Sequence, residues 1–365
     1  MPPERTNEMM DLFLTTMPQY PKNEYRNLMV QNSYFYRNFF RDSKPKDMTG
    51  THATFNAIIQ GDAGDGNRDA TKNGFGLYDG AYDTIPAVPT EYMTQGKVDW
   101  SAYIGHVAIS EKELIENSSR EAYIELHKAK YEGAMTRMAN ILELDWWSRD
   151  AFKTIGTGRQ MILGPEYWIT DDGYAINDPA GINGIEVGGI NPTHENYRDP
   201  ITGRNRWRNQ ARRCAVPNDL IRAMTRLVLS CKFVTPPDVN MNTKPGGERH
   251  RIVFNLNGYL VWVDMMQMLN EPFSVNEPRF RNVKVEKADL MSRREDGTNQ
   301  GFFFDLDTWK ARVAKGMDMK WDEIERLPNQ PSAKRRNVKY WPASWCTDRR
   351  NNGKVFGFGD DIIEN

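Results

Sequence analysis

Residues 118–148 set the scale of whatever this chain folds into. Ser118 stands three positions before Glu121, the spacing at which an N-cap hydroxyl and a glutamate satisfy each other's backbone amides at a helix start. Met135, Met138, Ile141, Leu142 and Trp146 then recur at helical intervals and form one apolar stripe. A helix of about 30 residues extends roughly 45 Å, beyond the usual globular length. It needs an equally long surface to cover its stripe, so it is expected as a spine lying across a sheet. The segment SEKELIEN, with Glu111 and Glu113, is expected as a short helix just before it.

The flanking segments have a different character. Residues 1–50 are polar with scattered aromatics (Tyr20, Tyr25, Tyr34, Tyr36, Phe39 and Phe40) and read as an arm that gains order from contact with something else. Within it, MVQNSYFYRNFF reads as a short helix and RDSKPKDMTG as a linker. Residues 51–95 contain GDAGDGNRDATKNGFGLYDGAY, rich in glycine and acidic or amide residues, which favours turns and offers little to bury. In TIPAVPTEYMTQGKVDWSAYIGHVAIS, β-branched and aromatic residues return. A long two-stranded excursion is the reading; a disordered insertion is the alternative.

After the long helix, residues 151–215 follow neither period, and GINGIEVGGINP reads as short strands and turns. Pro217–Cys231 carries Leu220, Ile221, Met224, Leu227 and Val228 on one helical face, and Pro236–Pro237 forbid continuation. A further helix, capped at Asn257 or a neighbour, carries Tyr259, Trp262, Val263, Met266 and Leu269 and ends at Pro272. Lys232–Thr235 and Arg251–Asn255 read as short strands. VKVEKADLM and GFFFDLDTWKARV read as an antiparallel pair joined by a turn at EDGTN, and GKVFGFG as a last edge strand. Long helices mixed with separated antiparallel strands, without a βαβ series, predict an α+β fold.

Chemistry is sparse. The chain has 365 residues, room for one large core or two to three modest domains. Its formal net charge of -1 removes the cheapest argument for a nucleic-acid binder. Cys214, Cys231 and Cys346 are widely spaced without a CxxC, so they read as free thiols in a reducing compartment. MPPERTNEMM lacks the cationic region and apolar run of a signal peptide, and no apolar run is long enough to span a bilayer. A soluble protein made in a cytoplasm is expected.

His52, His106, His127, His194 and His250 are dispersed, without a compact metal pattern, and neither GxSxG nor GxxxxGK[ST] occurs. GDAGDGNRD lacks the ligand order and terminal glutamate of a calcium loop. Asp171–Asp172 and Asp360–Asp361 read as solvated turns, with a carboxylate-dependent hydrolase as the rival. The pairs Arg212–Arg213, Arg293–Arg294, Arg335–Arg336 and Arg349–Arg350 read as solvated faces or intersubunit salt bridges. A nucleic-acid-associated module touching the DNA backbone is the rival there. No catalytic residue, cofactor or metal is expected.

Three stretches resemble the major capsid proteins of tailed bacteriophages. AVPTEYMTQGKVDWSAYIGHVAISEKELIENS and the helix after it are similar to that family's E-loop, its "is-x-x-el" segment and its spine helix. GGINPTHENYRDPITGRNRWRNQ is similar to a pattern of Gly-Gly, a short variable span and W-R-N. GFFFDLDTWKARVAKGMDMKW is similar to a late strand with a "yflN" pattern, although Asp305 stands where asparagine is usual. The three occur in the family's order within residues 20–325.

The resemblance implies the α+β fold of these capsid proteins. It places an N-terminal arm at 1–50, an E-loop hairpin at 51–105 and a P-domain with the spine helix at 106–154. An A-domain at 155–270 is inserted into the P-domain, and 271–365 return to the P-domain and a C-terminal tail. It also implies a non-enzymatic protein that self-assembles, through hexamers and pentamers, into the icosahedral shell enclosing phage DNA. Such a protein is assembled in the host cytoplasm and resides in the virion. Its implied partners are further copies of itself, a scaffolding protein, the portal and a decoration protein. DNA would meet it only through weak, non-specific contact, and a membrane not at all. Tyr34, Tyr36, Phe75, Tyr78, Tyr82, Trp100, Tyr103, Trp207, Trp341 and Trp345 are expected as intersubunit contacts, because aromatics anchor interfaces. Core packing is the rival for each. The Lys–Asn crosslink of some members is not expected, since neither Lys72 nor Lys97 aligns with it. An N-terminal scaffolding domain is not expected either.

Overall fold

The computed structural model describes residues 3–16, 34, 38, 47–58, 93–116, 120–148, 160–171, 187–190, 207–231, 249–268, 278–281, 283–327 and 330–359. In chain order the first elements are α1 (Pro3–Thr16), β1 (Asp47–Met48), β2 (His52–Ile58), β3 (Met93–Asp99) and β4 (Tyr103–Ser110). Helices α2 (Glu111–Glu116), α3 (Arg120–Trp147) and α4 (Pro165–Trp168) follow, then β5 (Gln210–Arg213), α5 (Leu220–Ser230), β6 (His250–Asn255) and α6 (Leu256–Met268). The rest is β7 (Arg279–Phe280), β8 (Val283–Ala288), β9 (Asn299–Asp305), β10 (Trp309–Ala314), β11 (Lys320–Leu327), β12 (Gln330–Tyr340), β13 (Pro342–Cys346) and β14 (Gly353–Phe358). The chain is α+β, divided into two units. Unit 1 comprises Met1–Ala53, Asp99–Gly164 and Ala311–Ser344; unit 2 comprises Thr54–Val98, Pro165–Lys310 and Trp345–Asn365.

In unit 1 the expected spine exists. Helix α3 packs on β4, which lies in an antiparallel sheet ordered β11-β12-β4. The stripe is shifted from its sequence reading. Tyr131, Met135, Met138, Ala139, Leu142 and Trp146 are buried, but Ile141 is 51% exposed. Each residue advances a helix by about 100°, so the neighbour of a stripe residue such as Leu142 need not lie on the stripe. Gly164 closes the helix end: a Cβ there would lie 1.6 Å from the Trp146 carbonyl oxygen. The expected cap, Ser118, lies outside the described residues.

At the start of the expected arm, contacts within the same chain order one helix. Residues 3–16 form α1, with Met10 and Leu14 buried within unit 1. Lys334 of β12 pairs with Asp11 at 2.5 Å, and Arg336 donates to the Leu14 carbonyl at 2.6 Å. The last turn of α1 has no basic residue of its own. Arg336 therefore supplies the cation that the negative helix end favours.

In unit 2 a six-stranded sheet runs β5-β14-β9-β6-β8-β7, with α5 and α6 contributing to one buried cluster against it. Leu220, Met224, Leu227 and Val228 meet Trp262, Met265 and Met266 over Ile252, Phe254, Val285 and Phe303. Fully burying one such side chain contributes about 1.5–3 kcal/mol.

Three sequence expectations change here. β8 and β9 are not a hairpin: β6 lies between them, parallel to β8 and antiparallel to β9. Residues 252–255 of β6 are buried throughout, so the strand needs a partner on each edge. β14 is no edge strand, being parallel to β5 and antiparallel to β9. The boundary drawn at 270 also moves, because β7, β8, β9 and β14 complete the sheet begun by β5 and β6. The strand expected at Lys232–Thr235 lies outside the described residues.

Candidate functional site

β2 and β3 form a two-stranded sheet of their own. They are the root of the expected excursion, and the intervening residues 59–92 lie outside the described set. From Thr54 to Val98 this root belongs to unit 2. Phe55 meets Trp168 edge-on at 5.7 Å and stacks on Trp345 at 5.9 Å, separations at which aromatic pairs are favourable. Gly96 on β3 leaves room for that ring, since a Cβ would come within 2.2 Å of it.

The Gly-Gly and W-R-N motifs meet at this root. Gly188 and Gly189 form a turn with φ of 65° and 71°, a left-handed conformation that glycine adopts without cost. The Gly188 carbonyl accepts from the Lys97 amide at 2.8 Å, and the Gly188 amide donates to the Tyr167 hydroxyl at 2.8 Å. Trp207, the tryptophan of W-R-N, donates from its indole to the Val187 carbonyl at 3.1 Å. Asn209, the asparagine of the motif, donates to the Thr170 carbonyl at 2.8 Å.

Arg349 ties these segments together and is 1% exposed. Its guanidinium donates to the carbonyls of Trp168 (2.7 Å) and Trp207 (3.0 Å) and to Asn209 Oδ1 (3.0 Å). The planar fork suits several fixed acceptors at once. The sequence reading of Arg349–Arg350 as a solvated or intersubunit pair is therefore corrected for Arg349. Arg350 turns to Asp348 at 3.1 Å.

Beside this cluster, Lys354 is 1% exposed and bridges Glu166 at 2.8 Å and Asp171 at 2.9 Å. Arg294 also reaches Asp171 at 2.9 Å. Asp171 is thus an ion-pair member rather than a solvated turn; Asp172, Asp360 and Asp361 lie outside the described residues. Asp305, the departure from the late-strand pattern, is 1% exposed and takes a two-bond clasp from Arg249, each bond 2.7 Å. Among the described residues no group of three or more His, Cys, Asp or Glu could hold a metal ion. Nor, among them, is any helix long and apolar enough to cross a membrane.

The ten aromatic contact candidates divide. Trp207 and Trp345 are 1% and 4% exposed within unit 2, and Tyr34 is 8% exposed in unit 1 against Trp147. Their rings are covered by their own chain, which corrects their reading as intersubunit contacts. Tyr103 is half-buried; its hydroxyl donates to Asp145 at 2.8 Å and accepts from the Ile162 amide at 3.1 Å. Burial, and then the Asp145 charge, push that phenol far above its ordinary range. Trp100 and Trp341 remain partly exposed, the Trp100 indole donating to the Gly50 carbonyl at 3.0 Å. Tyr36, Phe75, Tyr78 and Tyr82 lie outside the described residues.

No family model matches the chain, and no curated protein matches it. Solved structures do. One is the satellite phage P4 procapsid including the size determination protein: 10% identity, 94% of this chain and 93% of that one, TM-score 0.48. Another is the cyanophage A-1(L) capsid asymmetric unit: 10% identity, 87% and 90% coverage, TM-score 0.47. A third is the virus-like particle from Pyrococcus furiosus: 8% identity, 91% and 98% coverage, TM-score 0.39.

What the site can do is mechanical. Buried rings, two glycines and one arginine hold the two-stranded sheet of β2 and β3. Arg349 was read only as half of a basic pair and Asn209 only as the end of the W-R-N motif, and Phe55 was not singled out. The W-R-N and Gly-Gly motifs were the available signal for this region.

Proposed function

We infer that this chain is a shell-forming subunit of the tailed-phage major capsid protein type, and not an enzyme. One observation carries the reading. The Gly-Gly and W-R-N stretch and the strands of the excursion, two separate stretches in the resemblance, converge on a single anchor held by Arg349. A firm root is useful for a projection whose polar, glycine-rich stretch 61–82 has little to bury by itself. A neighbouring copy would supply the missing surface. Repetition of modest contacts under closed symmetry then builds the particle.

On this reading the partners are other copies, arranged as hexamers and pentamers around packaged DNA in the virion. A scaffolding protein, a portal and a decoration protein are further proposed partners. The hydrolase rival loses support because Glu166 and Asp171 are held by Lys354 rather than opposed across an open cleft. Sedimentation velocity over a wide concentration range tests the reading. Discrete hexameric or larger species are expected to grow with concentration; one monomeric boundary throughout would contradict it.

A further inference from the structure

Helices α5 and α6 of unit 2 each show solvent a stripe that their core contacts leave free. On α5 the buried side chains are Leu220, Met224, Leu227 and Val228. The opposite side carries Arg222, Arg226 and Leu229, all exposed. On α6 the side away from Trp262, Met265 and Met266 carries Leu256, Leu260 and Asp264, also exposed. The three leucines are conspicuous at 44% (Leu256), 51% (Leu260) and 56% (Leu229) exposure. No described residue forms an ion pair with Arg222, Arg226 or Asp264.

These stripes match each other in length, polarity and charge. At 1.5 Å per residue, Leu229 lies about 10 Å from Arg222 along α5, and Leu256 lies about 12 Å from Asp264 along α6. Laid antiparallel, Leu229 meets Leu256 at one end and Arg222 meets Asp264 at the other. The aliphatic stem of Arg226 then covers Leu260 while its charge stays in water. A parallel arrangement sets Leu229 against Asp264 and Arg222 against Leu256, so the charges find no partner.

We propose that the outer stripe of α5 in one copy docks antiparallel on the outer stripe of α6 in a second copy of this chain. The occupant is a second copy because both halves of the complementary pair are carried by one chain. The contact joins two different patches, so every copy offers one of each. This inference deepens the shell-subunit reading and rests on it for the identity of the partner.

The test is a charge swap in the full-length protein. Arg222→Glu, Asp264→Arg and the double variant are compared with the unaltered chain by light scattering over a concentration series at low salt. Thermal melting of each variant reports whether the fold is intact. Each single reversal sets like charges face to face and is expected to raise the concentration needed for association about tenfold. The double variant restores the opposite pair and is expected within about threefold of the unaltered protein, because contacting residues couple non-additively. Single reversals without effect, or a double variant no better than the worse single, overturn the contact while leaving the shell reading in place. An unaltered chain that never associates overturns both.

Discussion

At the scale of single residues, Arg349 has the clearest consequences. Its guanidinium donates to the Trp168 and Trp207 carbonyls and to Asn209, all in unit 2. Arg349→Met keeps bulk but orphans those acceptors, and an unsatisfied buried polar group costs about 1–3 kcal/mol. The urea midpoint should fall accordingly, and Arg349→Lys should recover little, since an ammonium cannot present a planar fork. Thiol chemistry gives a second expectation. Burial, with Asp219 nearby, pushes Cys214 up to about 11; burial, with Asp348 nearby, pushes Cys346 up to about 12. Cys231 is shifted upward by burial and Asp305. At about pH 8 all three remain protonated and covered, so a thiol reagent should label the native chain negligibly and the denatured chain at all three positions. A cysteine that labels rapidly in the native chain would contradict this. Little of it was legible in advance. The Arg349–Arg350 pair looks like any solvated basic pair, and only the path of the chain buries one member and not the other. Trp207 was legible as a docked ring, but not which surface received it.

At the scale of elements, the helices were easier to read than the strand pairings. The stripe of α3 needs only the 3.6-residue period, and the face of α5 followed from Leu220, Met224, Leu227 and Val228 at helical spacing. Strand partners are non-local. Nothing in VKVEKADLM or GFFFDLDTW records that His250–Asn255 inserts between them. Helix α1 was missed because Met10 and Leu14 are a short signal in a polar stretch. It packs on α2 and takes an ion pair and a hydrogen bond from β12, tertiary support that its own sequence does not announce. The junction of α2 and α3 has a measurable pH signature. Burial alone would raise Glu113, but hydrogen bonds from Lys130 (2.6 Å) and from the Ser110 amide (3.1 Å) outweigh it, and its carboxyl sits below the ordinary glutamate value. A carboxyl depressed by folding contributes stability that is present above its unfolded value and lost as pH falls through its folded value. Glu113→Gln should therefore lower the melting temperature near neutrality and reduce the steepness of its decline below about pH 4.5. An unchanged acid limb would show that the pair contributes nothing.

At the scale of the whole molecule, the described chain is an α+β framework whose motifs serve construction. Its buried lysines are paired within their own units, Lys354 with Glu166 and Asp171 in unit 2 and Lys334 with Asp11 in unit 1. Its apolar side chains exposed on α5 and α6 face outward. The resemblance supplied the order of parts, and in the structure two of them, the excursion strands and the Gly-Gly and W-R-N stretch, meet at one anchor. Sequence alone could not distinguish a ring buried by its own chain from a ring left partly exposed, as Trp345 and Trp100 illustrate. Both are aromatics in polar surroundings, and only tertiary placement separates them. The central claim is that copies of this chain close into a shell. Electron microscopy of the purified protein at increasing concentration tests it most directly: closed particles, or rings with sixfold and fivefold symmetry, are expected, whereas fields of single subunits at every concentration and salt would contradict it.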